Sequence, residues 1–280
     1  MKDRAYAKIN LCLDVVGRRE DGYHELKMIM VPLDFYDVLE MVPSAKTEMS
    51  INRYYLPIND KNTVIKAIQC VQQRYGFTQE FSCTLTKHIP TQAGLAGGSA
   101  DAAAAIRIMN RMMHLHMDTP TMLDIAREVG ADVPFCCINR PALVGGIGEQ
   151  IESFQCRPSF HVLLVKPRKG VSTKTAFSML DYDHLVHPDC NAMREALKKD
   201  DYPGVIENLG NSLEESSLKL VPEIKNVKDK LLEFGFDGVL MSGSGSTVFG
   251  LSKDKALLKR TAEYMRDHKY FVRITDILSH

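Results

Sequence analysis

A two-domain α+β fold is predicted, with an N-terminal mixed β/α domain over residues 1–155 and a C-terminal, helix-backed antiparallel sheet domain over 156–280. Three observations carry that prediction. The length, 280 residues, suits two domains of ordinary size better than one. The first half opens on strand-like alternation and closes on helical spacing. The second half mixes helices and strands without the regular βαβ rhythm of a parallel sheet.

Taken in order, Ala7, Ile9, Leu11, Leu13 and Val15 alternate with Lys8, Asn10, Cys12 and Asp14, the period of a strand. That period puts Lys8 and Asn10 on one face, opposite the apolar one. A polar turn, GRREDGYHE, follows from Gly17, and Leu26–Val42 reads as a second apolar run. Residues 63–74 have helical spacing, and 81–86 form a strand leading into Lys87-His88-Ile89-Pro90. The alanine-rich run 100–112 has high helix propensity. A further helix begins at Thr119-Pro120, with Thr119 as N-cap and proline at the first helical position, and stops at Gly130. A hinge is expected near 153–160, before a strand at 160–165. Helices are expected near 190–199, 222–234 and 254–267, and strands near 237–241, 246–251 and 270–275.

Composition narrows the function. Hydrophobic residues are 45% and charged residues 25%, the proportions of a globular protein with a core. Basic and acidic side chains are equal at 35 each, which argues against a nucleic-acid surface. No apolar run approaches a membrane span, and the N-terminus lacks the pattern of a signal peptide. Seven cysteines are scattered without a CxxC and read as small buried residues of a reducing compartment. Nine histidines form no HExxH, so a protein-bound zinc is not expected. A cytoplasmic enzyme, monomer or homodimer, is the expectation.

Three segments carry chemistry. Pro90-Thr91-Gln92-Ala93-Gly94-Leu95-Ala96-Gly97-Gly98-Ser99 sets three glycines at the opening of a helix. Exposed backbone N–H groups at a positive helix terminus form a phosphate cradle, although the same spacing also serves a plain strand-to-helix turn. It is neither a Walker A loop nor a Rossmann fingerprint. Gly130-Ala131-Asp132-Val133-Pro134-Phe135 places one acid just past a helix end, and Met241–Thr247 is a second glycine-serine turn between apolar strands. Singly, each has an ordinary reading as a cap or a turn.

In that order and approximate separation, the three segments resemble the motifs of the GHMP kinase superfamily, which includes galactokinase, homoserine kinase, mevalonate kinase and phosphomevalonate kinase. Ala7-Lys8-Ile9-Asn10-Leu11 and Asp21-Gly22-Tyr23-His24-Glu25-Leu26 tighten the likeness, over nearly the whole chain, to members acting on diphosphocytidyl methylerythritol. The resemblance implies the two-domain GHMP kinase fold, ATP as co-substrate with Mg²⁺, and transfer of the γ-phosphate to the 2-hydroxyl of the methylerythritol unit.

It also implies roles. Asp132 matches the base and Lys8 the cation that keeps it ionised and orients the hydroxyl. Asn10 would position substrate. Pro90, Gly94, Leu95, Ala96, Gly97, Gly98 and Ser99 would hold the ATP phosphates, chiefly through backbone N–H groups. Tyr23 would stack on the cytosine, His24 would hydrogen-bond its edge, and Phe177 would form a second aromatic wall. The Gly243–Ser246 turn would buttress the phosphate loop. Ala96 stands where many relatives have glycine, which is tolerable if the residue avoids positive φ. Ala100 stands where many have serine, leaving any side-chain metal ligand open. A homoserine- or mevalonate-type kinase and an inactive ligand-sensing paralogue are the alternatives. The first gives Tyr23 and His24 no base to hold, and retention of Lys8 and Asp132 opposes the second.

Overall fold

The computed structural model describes residues 1–278. In chain order these form β1 (Lys2–Arg18), β2 (His24–Ser44), β3 (Glu48–Ile51), α1 (Thr63–Tyr75), β4 (Glu80–Thr86), α2 (Gly97–Met112), α3 (Thr119–Val129), α4 (Val133–Ile138), β5 (Ala142–Gly146) and β6 (Gln150–Ser153). There follow β7 (His161–Lys166), α5 (Thr173–Ser178), a 3₁₀ turn (Tyr182–His184), α6 (Cys190–Lys198), α7 (Tyr202–Glu207) and β8 (Gly210–Asn211). The last elements are α8 (Glu214–Leu220), α9 (Glu223–Phe234), β9 (Gly238–Met241), β10 (Val248–Ser252), α10 (Lys255–Asp267) and β11 (Phe271–Thr275).

Two compact units share the long strands β1 and β2. The first comprises residues 1–7, 35–90 and 96–139, and the second 8–34, 91–95 and, among the described residues, 140–278. In the first, the later half of β2 pairs antiparallel with β4 (Val38 opposite Thr86), and β4 pairs parallel with β3. Helices α1, α2, α3 and α4 pack on one another in the same unit. Alanine makes that closeness possible: Ala102, Ala103, Ala104 and Ala105 of α2 are all fully buried. Helix α2 starts at Gly97, three residues before the alanine run. The N-cap of α3 is Asp118, whose carboxylate accepts from Thr121 N at 2.9 Å, so Thr119 is the first helical residue rather than the cap.

In the second unit the early half of β2 pairs with β5, β5 with β6, and β1 runs parallel to β8 through Cys12 and Leu13. A four-stranded antiparallel sheet, β11-β7-β10-β9, is backed by α9 and α10. Its central strand β10 is buried on both faces, from Val248 to Ser252. This is the helix-backed antiparallel sheet expected of the second half.

The cysteine reading needs one correction. Cys12 and Cys190 form a disulfide, with Cα atoms 5.6 Å apart, because β1 and the first residue of α6 meet there. Cys83, Cys136, Cys137 and Cys156 are buried and outside that disulfide, as expected, and burial pushes the Cys83 thiol up to about 11.

Candidate active site

The second unit supplies Lys8 and Asn10. Strand alternation suggests a polar face at these positions, yet Lys8 is 4% exposed and Asn10 fully buried. A buried ammonium and a buried amide must satisfy one another. Lys8 Nζ donates to Asn10 Oδ1 at 2.6 Å, and the Lys8 backbone N–H donates to Leu95 O at 3.2 Å. The strand is thereby tied to the glycine loop.

Gly94 shows why that loop needs glycine. Its φ is +71°, and a Cβ there would lie 1.9 Å from the Ser242 carbonyl oxygen. The Met241–Thr247 turn therefore packs directly on the loop backbone. Ser242 Oγ donates to Gly94 O at 2.9 Å, and Thr247 N donates to Ala93 O at 3.3 Å. The hydrogen bonds to the loop come from Ser242 and Thr247, which flank the Gly243–Ser246 stretch expected to buttress it. Asn211 holds the turn from behind, donating to Met241 O and Gly243 O at 2.9 and 2.8 Å.

The first unit continues the loop into α2. No side chain caps this helix, and the first backbone N–H to return to the loop is that of Ala100, onto Ala96 O. The N–H groups of Gly97, Gly98 and Ser99 are the orphan donors of the first turn, at the positive end of a 16-residue helix. Such an end accepts phosphate. Thr63 Oγ1 donates to Gly98 O at 2.7 Å, steadying the turn from α1. Pro90 ends the segment that leads out of β4, and Gly98 is exposed.

Ala96 departs from expectation. Its φ is +55° and ψ +29°, the left-handed conformation that the alanine was expected to avoid. A Cβ crowds the following carbonyl in that region, so this alanine is strained where glycine would not be. Ala100 is 1% exposed, so a hydroxyl at that position would face the interior.

Asp132 sits at the N-cap position of α4, yet its side chain makes no capping bond there. It is half-buried, in the short turn between α3 and Pro134.

Sequence reasoning missed a buried charge cluster beneath the α2 start. Lys87 Nζ pairs with Asp37 and, at 2.6 Å, with Asp101 Oδ2, and the three residues are at most 3% exposed. Asp37 Oδ1 also accepts from Ile89 N at 2.8 Å. Burial pulls the Lys87 pKa down, but the two carboxylates outweigh it and the ammonium is held above its usual range. Burial, with Asp37 adding to it, raises the Asp101 carboxyl against the pull of Lys87. Asp101 Oδ1 has no hydrogen-bond partner. The signal available in sequence was Asp101, an acid interrupting the alanine-rich run of α2, whereas Asp37 stands between Asp34 and Glu40 and is not set apart.

Tyr23 and His24 follow a tight turn in the second unit. Gly22, at φ +84°, lets Arg19 N reach Tyr23 O at 2.8 Å, while Asp21 Oδ1 accepts from Tyr23 N. The Tyr23 ring is 61% exposed. The His24 ring lies 4.6 Å from Phe177 and parallel to Tyr182 at 6.3 Å. Burial, and then the Arg18 charge, push the His24 pKa below its ordinary value. Phe177 is placed by α5, which Ser172 caps, and Thr173 Oγ1 meets Ser244 Oγ at 2.8 Å. Tyr182 was not anticipated, because a lone tyrosine in DYDH has no spacing to mark it.

Comparison with known proteins gives the family. Residues 62–140 match the GHMP kinases N terminal domain and 193–270 the GHMP kinases C terminal domain. A 4-diphosphocytidyl-2-C-methyl-D-erythritol kinase of Bacillus cytotoxicus is 41% identical over 250 residues, 89% of this chain and 86% of that protein. One from Bacillus subtilis is 39% identical over 277 residues, covering 97% and 96%. The crystal structure of a 4-(cytidine 5'-diphospho)-2C-methyl-D-erythritol kinase superposes with a TM-score of 0.82 at 32% identity, covering 98% of this chain and 99% of that one. A homoserine kinase from Cytophaga hutchinsonii, at 19% identity and a TM-score of 0.76 over 97% and 94%, shares the fold. With an uncapped, glycine-led helix start and near full-length relatives of one name, the chain belongs to the GHMP kinase family, in the branch of the 4-diphosphocytidyl-2-C-methyl-D-erythritol kinases.

Proposed function

We propose that this protein transfers the γ-phosphate of ATP to the 2-hydroxyl of 4-diphosphocytidyl-2-C-methyl-D-erythritol, a step of isoprenoid precursor synthesis by the non-mevalonate route. The observation that carries the kinase reading is the open start of α2, whose three orphan N–H groups follow a glycine loop locked by Ser242. The substrate reading is supported by the aromatic corner around His24 and by the names of the relatives.

In this reading Gly94, Leu95, Ala96, Gly97, Gly98 and Ser99, with Pro90 leading in, hold the ATP phosphates. Mg²⁺ comes with the nucleotide and offsets phosphate charge; Ser99, the side-chain oxygen in the first turn of α2, is the donor type it takes. Asp132 receives the hydroxyl proton as the new oxygen–phosphorus bond forms and the β–γ bridge breaks, releasing ADP. Lys8 orients the hydroxyl, and its Asn10 partner fixes the ammonium and faces substrate. Tyr23, His24 and Phe177 hold the cytosine.

The boundary near residue 155 belongs to the same proposal, since the two matched segments fall on either side of it. So do a cytoplasmic setting and a monomeric or homodimeric state. The Cys12–Cys190 disulfide removes the reduced-thiol argument for the cytoplasm, leaving the supply of ATP as its support. Among the described residues, no helix is long and apolar enough to cross a membrane.

ADP release, measured with each candidate alcohol in turn, tests the function. The diphosphocytidyl substrate should turn over, while homoserine, mevalonate and methylerythritol phosphate should not. Ready turnover of homoserine or mevalonate instead would replace this substrate with theirs, and no turnover of any would favour an inactive paralogue.

A further inference from the structure

Lys166 is the last residue of β7, and no step of the proposed reaction uses it. Its side chain is 6% exposed, a costly place for an ammonium, which when buried is ordinarily paired with an acid. Burial pulls its pKa below the ordinary lysine value, with the Glu223 charge opposing. Its Nζ donates instead to two backbone carbonyls, Pro167 O at 2.9 Å and Arg168 O at 3.5 Å. Those bonds fix the course of residues 167–170 between β7 and α5.

That segment lies against the glycine loop. Ser246 Oγ donates to Lys169 O at 2.6 Å. Gly170 approaches Gln92 so closely that a Cβ would lie 2.5 Å from Gln92 Cβ and 2.9 Å from its carbonyl oxygen. Gln92 needs a constraint of this kind: its φ is +50°, the left-handed region that a residue with a Cβ rarely adopts. Ser242 on Gly94 and Thr247 on Ala93 complete a closed circuit of contacts, from segment 167–170 to the loop, from the loop to the glycine-serine turn, and from the turn back to Lys169. Every member of it belongs to the second unit.

We propose that Lys166 is a positioning residue for the nucleotide: by holding the 167–170 segment it braces Gln92, and so sets the Thr91–Leu95 backbone that leads into the phosphate cradle. It acts through the loop backbone, and the proposal rests on the reading of residues 94–99 as the phosphate loop.

ATP binding, measured by calorimetry on the intact protein, tests it together with kcat and the KM for ATP. Lys166→Met keeps the length of the side chain and loses its donors and charge. It should weaken ATP binding and raise the KM for ATP roughly three- to tenfold, less than the full worth of a charge-assisted hydrogen bond because the effect reaches the phosphates through the loop. At saturating ATP, kcat should stay within about twofold of wild type. Lys166→Arg, which restores donors and charge, should recover most of the affinity. Ser246→Ala, which cuts the bond to Lys169 O, should also weaken ATP binding, and in that background Lys166→Met should cost less than it does alone. Val162→Ala opens a cavity at the other end of the same strand and should lower the melting temperature with ATP affinity unchanged. Wild-type ATP affinity in Lys166→Met or in Ser246→Ala overturns the proposal, as does an equal loss of affinity in Lys166→Met and Val162→Ala. Wild-type protein that binds no ATP would sink the phosphate-loop reading itself, and the proposal with it.

Discussion

Replacing Ala96 by glycine should make the protein more stable, although glycine before a helix usually does the reverse. Ala96 has φ +55° and ψ +29°. An L-residue with a Cβ in that region carries roughly 1–2 kcal/mol of strain that glycine lacks. Against this, glycine enlarges the unfolded ensemble, at about 0.4–1 kcal/mol. The balance is about 0.5–1 kcal/mol in favour of Ala96→Gly. For a chain of this size that corresponds to a rise of roughly 1–3 °C in Tm. Ala100→Gly is the matched control. Ala100 is helical and 1% exposed, so the same change should cost about 1 kcal/mol of helix propensity and nearly as much again in lost burial. Calorimetric melts of both variants beside wild type give opposite signs if the left-handed strain is real. If Ala96→Gly lowers Tm as Ala100→Gly does, the reasoning about the loop is wrong.

Asp132→Asn should leave substrate affinity largely intact and lower kcat at least ~100-fold, as loss of a general base does; near-normal turnover would take the base role from Asp132. A Cβ at Gly98 would meet only Thr63 Oγ1, at 3.6 Å, whereas one at Gly97 would press on Ile89 at 2.9 Å. Gly98→Ala should therefore weaken ATP binding with an unchanged melt, while Gly97→Val should lose both; full ATP affinity in Gly98→Ala would reduce the loop to a turn. The Asp101 carboxyl, pushed up to about 8 chiefly by burial, contributes stability that is fully present below its unfolded pKa and is lost as pH rises through the folded value. Urea melts from pH 4 to 8 should thus show wild type losing stability relative to Asp101→Asn, which stays neutral, with the curves running parallel above that range; parallel curves from pH 4 to 8 would refute the buried-carboxyl account.

Much of the fold could be read in advance because its signals are local. The helix-backed sheet of the second half announced itself through periodicity at 237–241, 246–251 and 270–275, and the structure puts β9, β10 and β11 there within two residues at each end. Short elements with no period of their own were not legible. β3, α4, the β5–β6 hairpin and β8 exist because neighbours pair with them or pack on them. Within the site, Gly94 was marked by its neighbours in sequence, but the reason for it is a carbonyl 148 residues away. The burial of Lys8 and Asn10 escaped because alternation says which residues share a face, not what covers that face. Asp37, Lys87 and Asp101 escaped for the opposite reason: Asp101 interrupts an alanine run, but nothing in any one segment shows which partners it meets.

The Ser242–Gly94 lock also sets a timetable for biosynthesis. The loop's bonds at Ala93 and Gly94 are made by residues 242 and 247, so they do not exist while the ribosome has yet to release the later segment. At ordinary elongation rates that interval is on the order of 10–30 s. A nascent chain halted before residue 242 would carry every residue from Pro90 to Ser99 and still lack the support that shapes the loop. Nucleotide affinity would then arrive late in synthesis and abruptly, as a property of the nearly completed chain.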